Sequence, residues 1–183
     1  QRRRQRQMCI RDRFKKIQLN GFKSFAEKTN FLIEDGLTGI VGPNGCGKSN
    51  IVESLRWVMG ETSAKSMRGS GMEDVIFSGT SNKASKNIAE VSIEVENKDK
   101  EGPIQYREVE QIQVRRKIEK DKGSKFYIND KEVRARDAQM FFADLSTGAH
   151  SPSMISQGRI GALVTAKPTD RRAILEEAAG ISG

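Results

Sequence analysis

The stretch LTGIVGPNGCGKSNIVESLRW (residues 37–57) joins a short apolar run, a glycine-rich loop and a helical pattern. Within it, Gly42, Gly47, Lys48 and Ser49 satisfy G-x-x-x-x-G-K-[ST], a motif that also requires a strand before it and a helix after it. LTGIV reads as that strand, and Ile51, Leu55 and Met59, with Val52 beside them, give the helix its apolar face. Glycines let the backbone curl so that its N–H groups point inward at phosphate oxygens, and the positive end of the helix beginning near Lys48 reinforces them. Lys48 is expected to reach the β- and γ-phosphates and the Ser49 hydroxyl to ligate Mg²⁺. The loop therefore reads as the cradle of a nucleoside triphosphate, with ATP expected.

A cradle is not an active site. Hydrolysis also needs an acid at the end of a second apolar strand to hold Mg²⁺, and a group to orient the attacking water. The one string of suitable shape is MFFAD, ending at Asp144, but its context is helical and no glutamate follows. Phe141, Phe142 and Leu145 read better as core, so the sequence carries half of a hydrolytic site.

The 183 residues suffice for one domain with a sizeable core, or for a lobe of a larger one, and no apolar run approaches the roughly 20 residues of a membrane span. Cys9 and Cys46 cannot build a disulfide framework, which fits a reducing, cytoplasmic setting. Of the net charge of +8, residues 1–13 contribute +5 through six arginines and one aspartate. That tail lacks the apolar segment of a signal peptide and starts without methionine. A basic nucleic-acid-binding arm is one reading; translated cloning sequence ahead of a gene segment is the preferred one, and the tail receives no functional weight.

From Phe14 the pattern is globular. FKKIQLN and TNFLIED space apolar residues two apart (Ile17 and Leu19, Phe31 and Ile33), as half-buried strands do. AEVSIEVE sets Ala89, Val91, Ile93 and Val95 against a polar face. Residues 111–130 predict a hairpin with a basic turn, followed by a helix in RDAQMFFADL and another beginning near Pro168, a residue suited to a first helical turn.

GFKSF, GIVGPNGCGKSNIVESLRWVMGE, SMRGSGMEDVIFSGT, MISQGRI and KPTDRRAILEEAAGI, in this order and spacing, closely resemble the N-terminal head segment of the structural maintenance of chromosomes (SMC) proteins, bacterial chromosome-organising ATPases. GAHSPSMISQGRIGAL is similar to the alphaproteobacterial version. The resemblance covers residues 14–183 and implies an α/β fold: the N-terminal lobe of an ABC-type P-loop ATPase head, mixed sheets plus helices, incomplete without its C-terminal half. In that family two coiled-coil arms and a hinge separate the halves. Gly183 would fall about where the first coiled coil departs, leaving the magnesium-binding aspartate, the catalytic glutamate and the signature loop beyond it.

Carried over by position, the resemblance implies that Pro43, Asn44, Gly45, Cys46, Gly47, Lys48, Ser49 and Asn50 bind ATP. It implies that Gln157 contacts Mg²⁺ and the attacking water, that Arg68 lies near the nucleotide and serves DNA-stimulated hydrolysis, and that Lys23 lies near the ribose or adenine. Cys46 reads as tolerated packing pointing away from the phosphates, Trp57 as packing rather than base stacking, and His150 as a loop residue without metal partners. The basic turn at residues 115–125, with Arg134 and Arg136, suits either a DNA backbone or the solvated edge of a hairpin.

The implied function is ATP-dependent chromosome condensation and segregation, in the cytoplasm at the nucleoid. Its expected partners are a second SMC head in a homodimer, the chain's own C-terminal head half, a kleisin subunit and double-stranded DNA, with no membrane. Three alternatives remain open: a head segment of a related coiled-coil DNA-repair ATPase, a self-contained P-loop NTPase using Asp144, and a non-enzymatic nucleic-acid-binding module. A lobe lacking its other half is expected to expose apolar surface.

Overall fold

The structure, a computed structural model, describes residues 14–36, 38–97, 104–145, 167–169 and 171–172. Its frame is a six-stranded sheet of β1 (Phe14–Asn20), β2 (Thr29–Leu32), β3 (Ile88–Glu96), β4 (Gln111–Glu119), β5 (Gly123–Ile128) and β6 (Lys131–Val133), in the order β2-β1-β3-β4-β5-β6. Neighbouring strands run antiparallel. Helix α1 (Lys48–Val58) packs against β3 and β4, and helix α2 (Ala135–Asp144) against β5.

The alternation in the sequence becomes the two faces of this sheet. Ala89, Val91, Ile93 and Val95 of β3 are buried and pair with Ile118, Arg116, Val114 and Ile112 of β4. On the opposite face, ion pairs link strands: Lys16 Nζ to Glu94 Oε1 at 3.0 Å and Arg115 Nη1 to Glu90 Oε2 at 3.4 Å. The hairpin forms as expected, turning through Asp121 (φ 62°) and Gly123 (φ 77°). Phe141, Phe142 and Leu145 are core, as read from the sequence. Pro168, Thr169, Arg171 and Arg172 are helical, so the last helix starts where proline predicts.

Two expectations are corrected. Residues 38–41 form no strand: Ile40 is 44% and Val41 94% exposed, and no ladder partner reaches them among the described residues. An apolar run becomes a buried strand only when neighbours on both sides take up its backbone hydrogen bonds. On α1 and its C-cap, Ile51 and Met59 are buried as expected, but Leu55 is only partly buried, and Glu53, Ser54, Trp57 and Val58 complete the inward stripe. The Trp57 ring takes the centre of the contact, fully buried, 5.4 Å from the Phe22 ring and 4.6 Å from the Arg116 guanidinium.

Candidate nucleotide site

The loop that enters α1 turns through Gly45 (φ 82°) and Gly47 (φ 97°), left-handed conformations that side chains resist. Gly47 is also the helix N-cap. It supplies no side-chain cap, and no acid sits in the first turn, so the helix itself places no anion at this end. Lys48 Nζ donates to the carbonyls of Gly42 at 2.5 Å and Pro43 at 2.6 Å, closing the loop on itself. Ser49 is exposed in the same turn. Two left-handed glycines, an uncapped helix end, a lysine and a hydroxyl form the donor set that nucleotide phosphates and their Mg²⁺ require.

GFKSF packs directly beneath this loop. Phe22 and Phe25 exchange backbone hydrogen bonds of 3.0 and 2.8 Å, which turns the chain back on itself and presents Ser24. Asn50 Nδ2 donates to Ser24 Oγ at 2.9 Å, and a Cβ on Gly47 would fall 2.5 Å from that oxygen.

Below lies a charged cluster on α1. Glu53, 8% exposed, is ion-paired with both Lys23 and Arg68. Lys23 Nζ also donates to the Met67 carbonyl, and Arg68 Nη2 to Asn50 Oδ1 at 3.2 Å. Lys23 and Arg68 themselves hold positive φ, 46° and 54°. Arg68 is thus placed beside the first turn of α1, whereas the Lys23 ammonium is taken up by Glu53 and Met67. The chain leaves Arg68 through SGMED, where Asp74 Oδ2 accepts from Gly71 N at 2.9 Å, Ser70 Oγ at 2.9 Å and Ser70 N at 2.6 Å. The Gly71 amide, then the Ser70 hydroxyl and amide, hold the Asp74 carboxyl below its ordinary range.

The opposite end of α1 is closed by Arg116. Its Nη1 donates to the carbonyls of Trp57 at 2.8 Å and Glu61 at 2.7 Å, and its guanidinium lies 4.6 Å from the rings of both Trp57 and Phe126. Burial lowers its pKa to about 10, against the opposing pull of Glu61, so it stays charged at neutral pH. This corrects the reading of residues 115–125 as one basic surface: Arg116 is 3% exposed and cannot meet a DNA backbone. Arg115 is engaged by Glu90 and by Asp130 at 3.0 Å, and it covers Tyr127. Lys120, Lys122, Lys125, Arg134 and Arg136 are exposed.

Cys46 is exposed, with Sγ 3.9 Å from Lys48 Nζ and 2.8 Å from where a Cβ on Gly42 would stand. Gln157 and His150 lie outside the described residues, and for Asp144 only its backbone, at the end of α2, is described. Sequence reasoning missed Glu53, Ser24, Asp74 and the inward turn of Arg116. An acid on the apolar face of α1, and an arginine in phase with Ile112, Val114 and Ile118, were the available signals.

Fold and loop together are a sheet-and-helix unit with a G-x-x-x-x-G-K-[ST] loop leading into α1. Residues 13–159 match the family described as RecF/RecN/SMC N terminal domain, and the chain belongs to that family. It is 56% identical over 171 residues to the chromosome partition protein Smc of Cereibacter sphaeroides, covering 93% of this chain and 15% of the relative. It is 52% identical over 168 residues to the protein of that name in Rhodopseudomonas palustris, covering 92% of this chain and again 15% of the relative. Among solved structures, the Pyrococcus furiosus Smc head domain with an extended coiled coil, bound to the C-terminal domain of ScpA, is similar with TM-score 0.84 and 31% identity, over 92% of this chain and 42% of that one. The chain thus spans about 15% of the length of the curated relatives it matches.

Proposed function

We propose that residues 14–183 form the ATP-binding lobe of an SMC head, which acts in chromosome partition once its other half and a second head are present. One observation carries this reading: α1 begins uncapped behind left-handed Gly45 and Gly47, with Lys48 and Ser49 in its first turn. The loop from Pro43 to Asn50 binds the phosphates through backbone N–H groups, except at Pro43, which has none. Lys48 exchanges the carbonyls of Gly42 and Pro43 for phosphate oxygens. Ser49 and Gln157 hold Mg²⁺, whose charge offsets that of the terminal phosphates. Arg68 adds positive charge beside the first turn of the helix.

The acids that end strands among the described residues, Glu96 of β3 and Glu119 of β4, are ion-paired with Lys15 and Lys122, and we assign the magnesium-binding aspartate, the catalytic glutamate and the signature loop to the C-terminal half and to a second head. The P. furiosus complex makes a kleisin of the ScpA kind the expected bridging partner. Double-stranded DNA meets the exposed cations around the hairpin and α2, Lys120, Lys122, Lys125, Arg134 and Arg136, as a sequence-independent phosphate contact. The place of action is the cytoplasm, at the nucleoid.

In the full-length protein, Lys48→Ala is expected to abolish ATP turnover and to weaken ATP binding by about 100-fold or more, since a phosphate-facing charge is lost. Equilibrium binding of a fluorescent ATP analogue and a phosphate-release assay read the two effects. Residues 14–183 alone are expected to give no turnover. If they hydrolyse ATP, and Asp144→Asn stops them, the self-contained NTPase is the correct reading and the half-site account fails.

A further inference from the structure

Glu53 contributes nothing to the phosphate cradle, yet three segments converge on its carboxylate. It stands on α1, five residues after Lys48, and is 8% exposed. Lys23 reaches it from the loop between β1 and β2, and Arg68 from the turn that follows Lys65–Met67. A carboxylate so buried is costly unless cations and donors satisfy it, and here each oxygen has its own: Oε2 faces Lys23 and Oε1 faces Arg68.

Both cations hold left-handed backbone, which costs a non-glycine residue of order 1 kcal/mol and persists only where the surroundings over-determine it. The two partners differ in exposure. The Lys23 side chain is 13% exposed, and its remaining reach is spent on the Met67 carbonyl, which ties it to the Arg68 turn. The Arg68 side chain is 57% exposed and extends to Asn50 in the first turn of α1, where it keeps guanidinium donors facing water. The cluster of two cations and one anion therefore places a net positive charge beside the helix end that meets phosphate.

Building on the proposed ATP-binding role, we propose that Glu53 is a positioning residue: it fixes the Arg68 guanidinium beside the first turn of α1, and ATP turnover depends on Glu53 through Arg68. The test is a double-mutant cycle in the full-length protein, with Glu53→Gln, Arg68→Ala and the pair, read as kcat and KM for ATP. Each single variant is expected to lower kcat by about tenfold or more with KM within about threefold, since the loop's backbone N–H groups, Lys48 and Ser49 are all retained. The pair should fall within about twofold of Arg68→Ala alone, because residues acting as a unit are not additive.

Losses that multiply, or a Glu53→Gln protein that turns over like the wild type, overturn the proposal. Should Glu53→Gln not fold, Glu53→Asp carries the same comparison. A loss that vanishes in the Arg68→Ala background supports the proposal, and an equal loss in both backgrounds marks a purely structural carboxylate. A wild-type protein without turnover would instead sink the ATPase reading, and this inference with it.

Discussion

Gly47 is held by two constraints at once, φ of 97° and the Ser24 hydroxyl at the place where a Cβ would stand. Gly47→Ala should therefore push GFKSF away from the loop and cost ATP affinity about tenfold, while thermal stability falls by only about 1–2 kcal/mol. Isothermal titration beside a melting curve separates the two, and wild-type affinity would contradict the contact. Asp74 sets a pH limit on the Arg68 turn. Its folded-state pKa is lowered, so its stabilisation is present above the ordinary carboxylate range and is lost as pH falls through the lowered value. The protection factor against hydrogen exchange at residues 70–74 should fall on acidification in the wild type and be low already at neutral pH in Asp74→Asn. At this scale Lys48 and Ser49 were legible because their chemistry is local to one loop. Glu53 was not, because its partners lie at positions 23 and 68, brought together only by the folded chain.

Among the elements, the strands with clean alternation, β3 and β4, declare themselves in the sequence, and so does α2, whose Phe141 and Phe142 face the core. The run at residues 38–41 does not become a strand, because strand formation belongs to a sheet and not to a segment. Arg116 shows the converse. Its position obeys the alternation, but its charge reads as solvent-facing until the carbonyls of Trp57 and Glu61 are seen to need a donor. Arg116→Met keeps the bulk but removes the donor to both carbonyls, leaving that of Trp57 only the Gly60 N–H at 3.1 Å, so it should destabilise the lobe by about 2–4 kcal/mol. Calorimetry would show this as a melting temperature lower by roughly 5–15 °C, and an unchanged value would deny the hydrogen bonds their role.

Over the whole molecule the core is continuous from β1 to α2, yet Leu32, Ile40 and Val41 are exposed by 65%, 44% and 94%. On the proposed reading, the C-terminal head half covers these three residues. Residues 14–183 should bind a hydrophobic dye, and supplying the C-terminal head half should suppress that signal. A dye-silent, cooperatively melting monomer would show that the lobe is complete by itself.

Helix α1 is pinned at both ends, by Asn50 and Glu53 to the two loops beneath the phosphate cradle and by Arg116 to the hairpin beyond its C-terminus. Eleven helical residues make a strut about 16 Å long, stiff along its axis. If its cradle end pivots by about 5°, the other end swings by about 1.4 Å, comparable to the small helix shifts that drive larger rearrangements. Arg116, held between the ring of Trp57 on α1 and that of Phe126 on β5, is the joint through which such a swing would reach the hairpin.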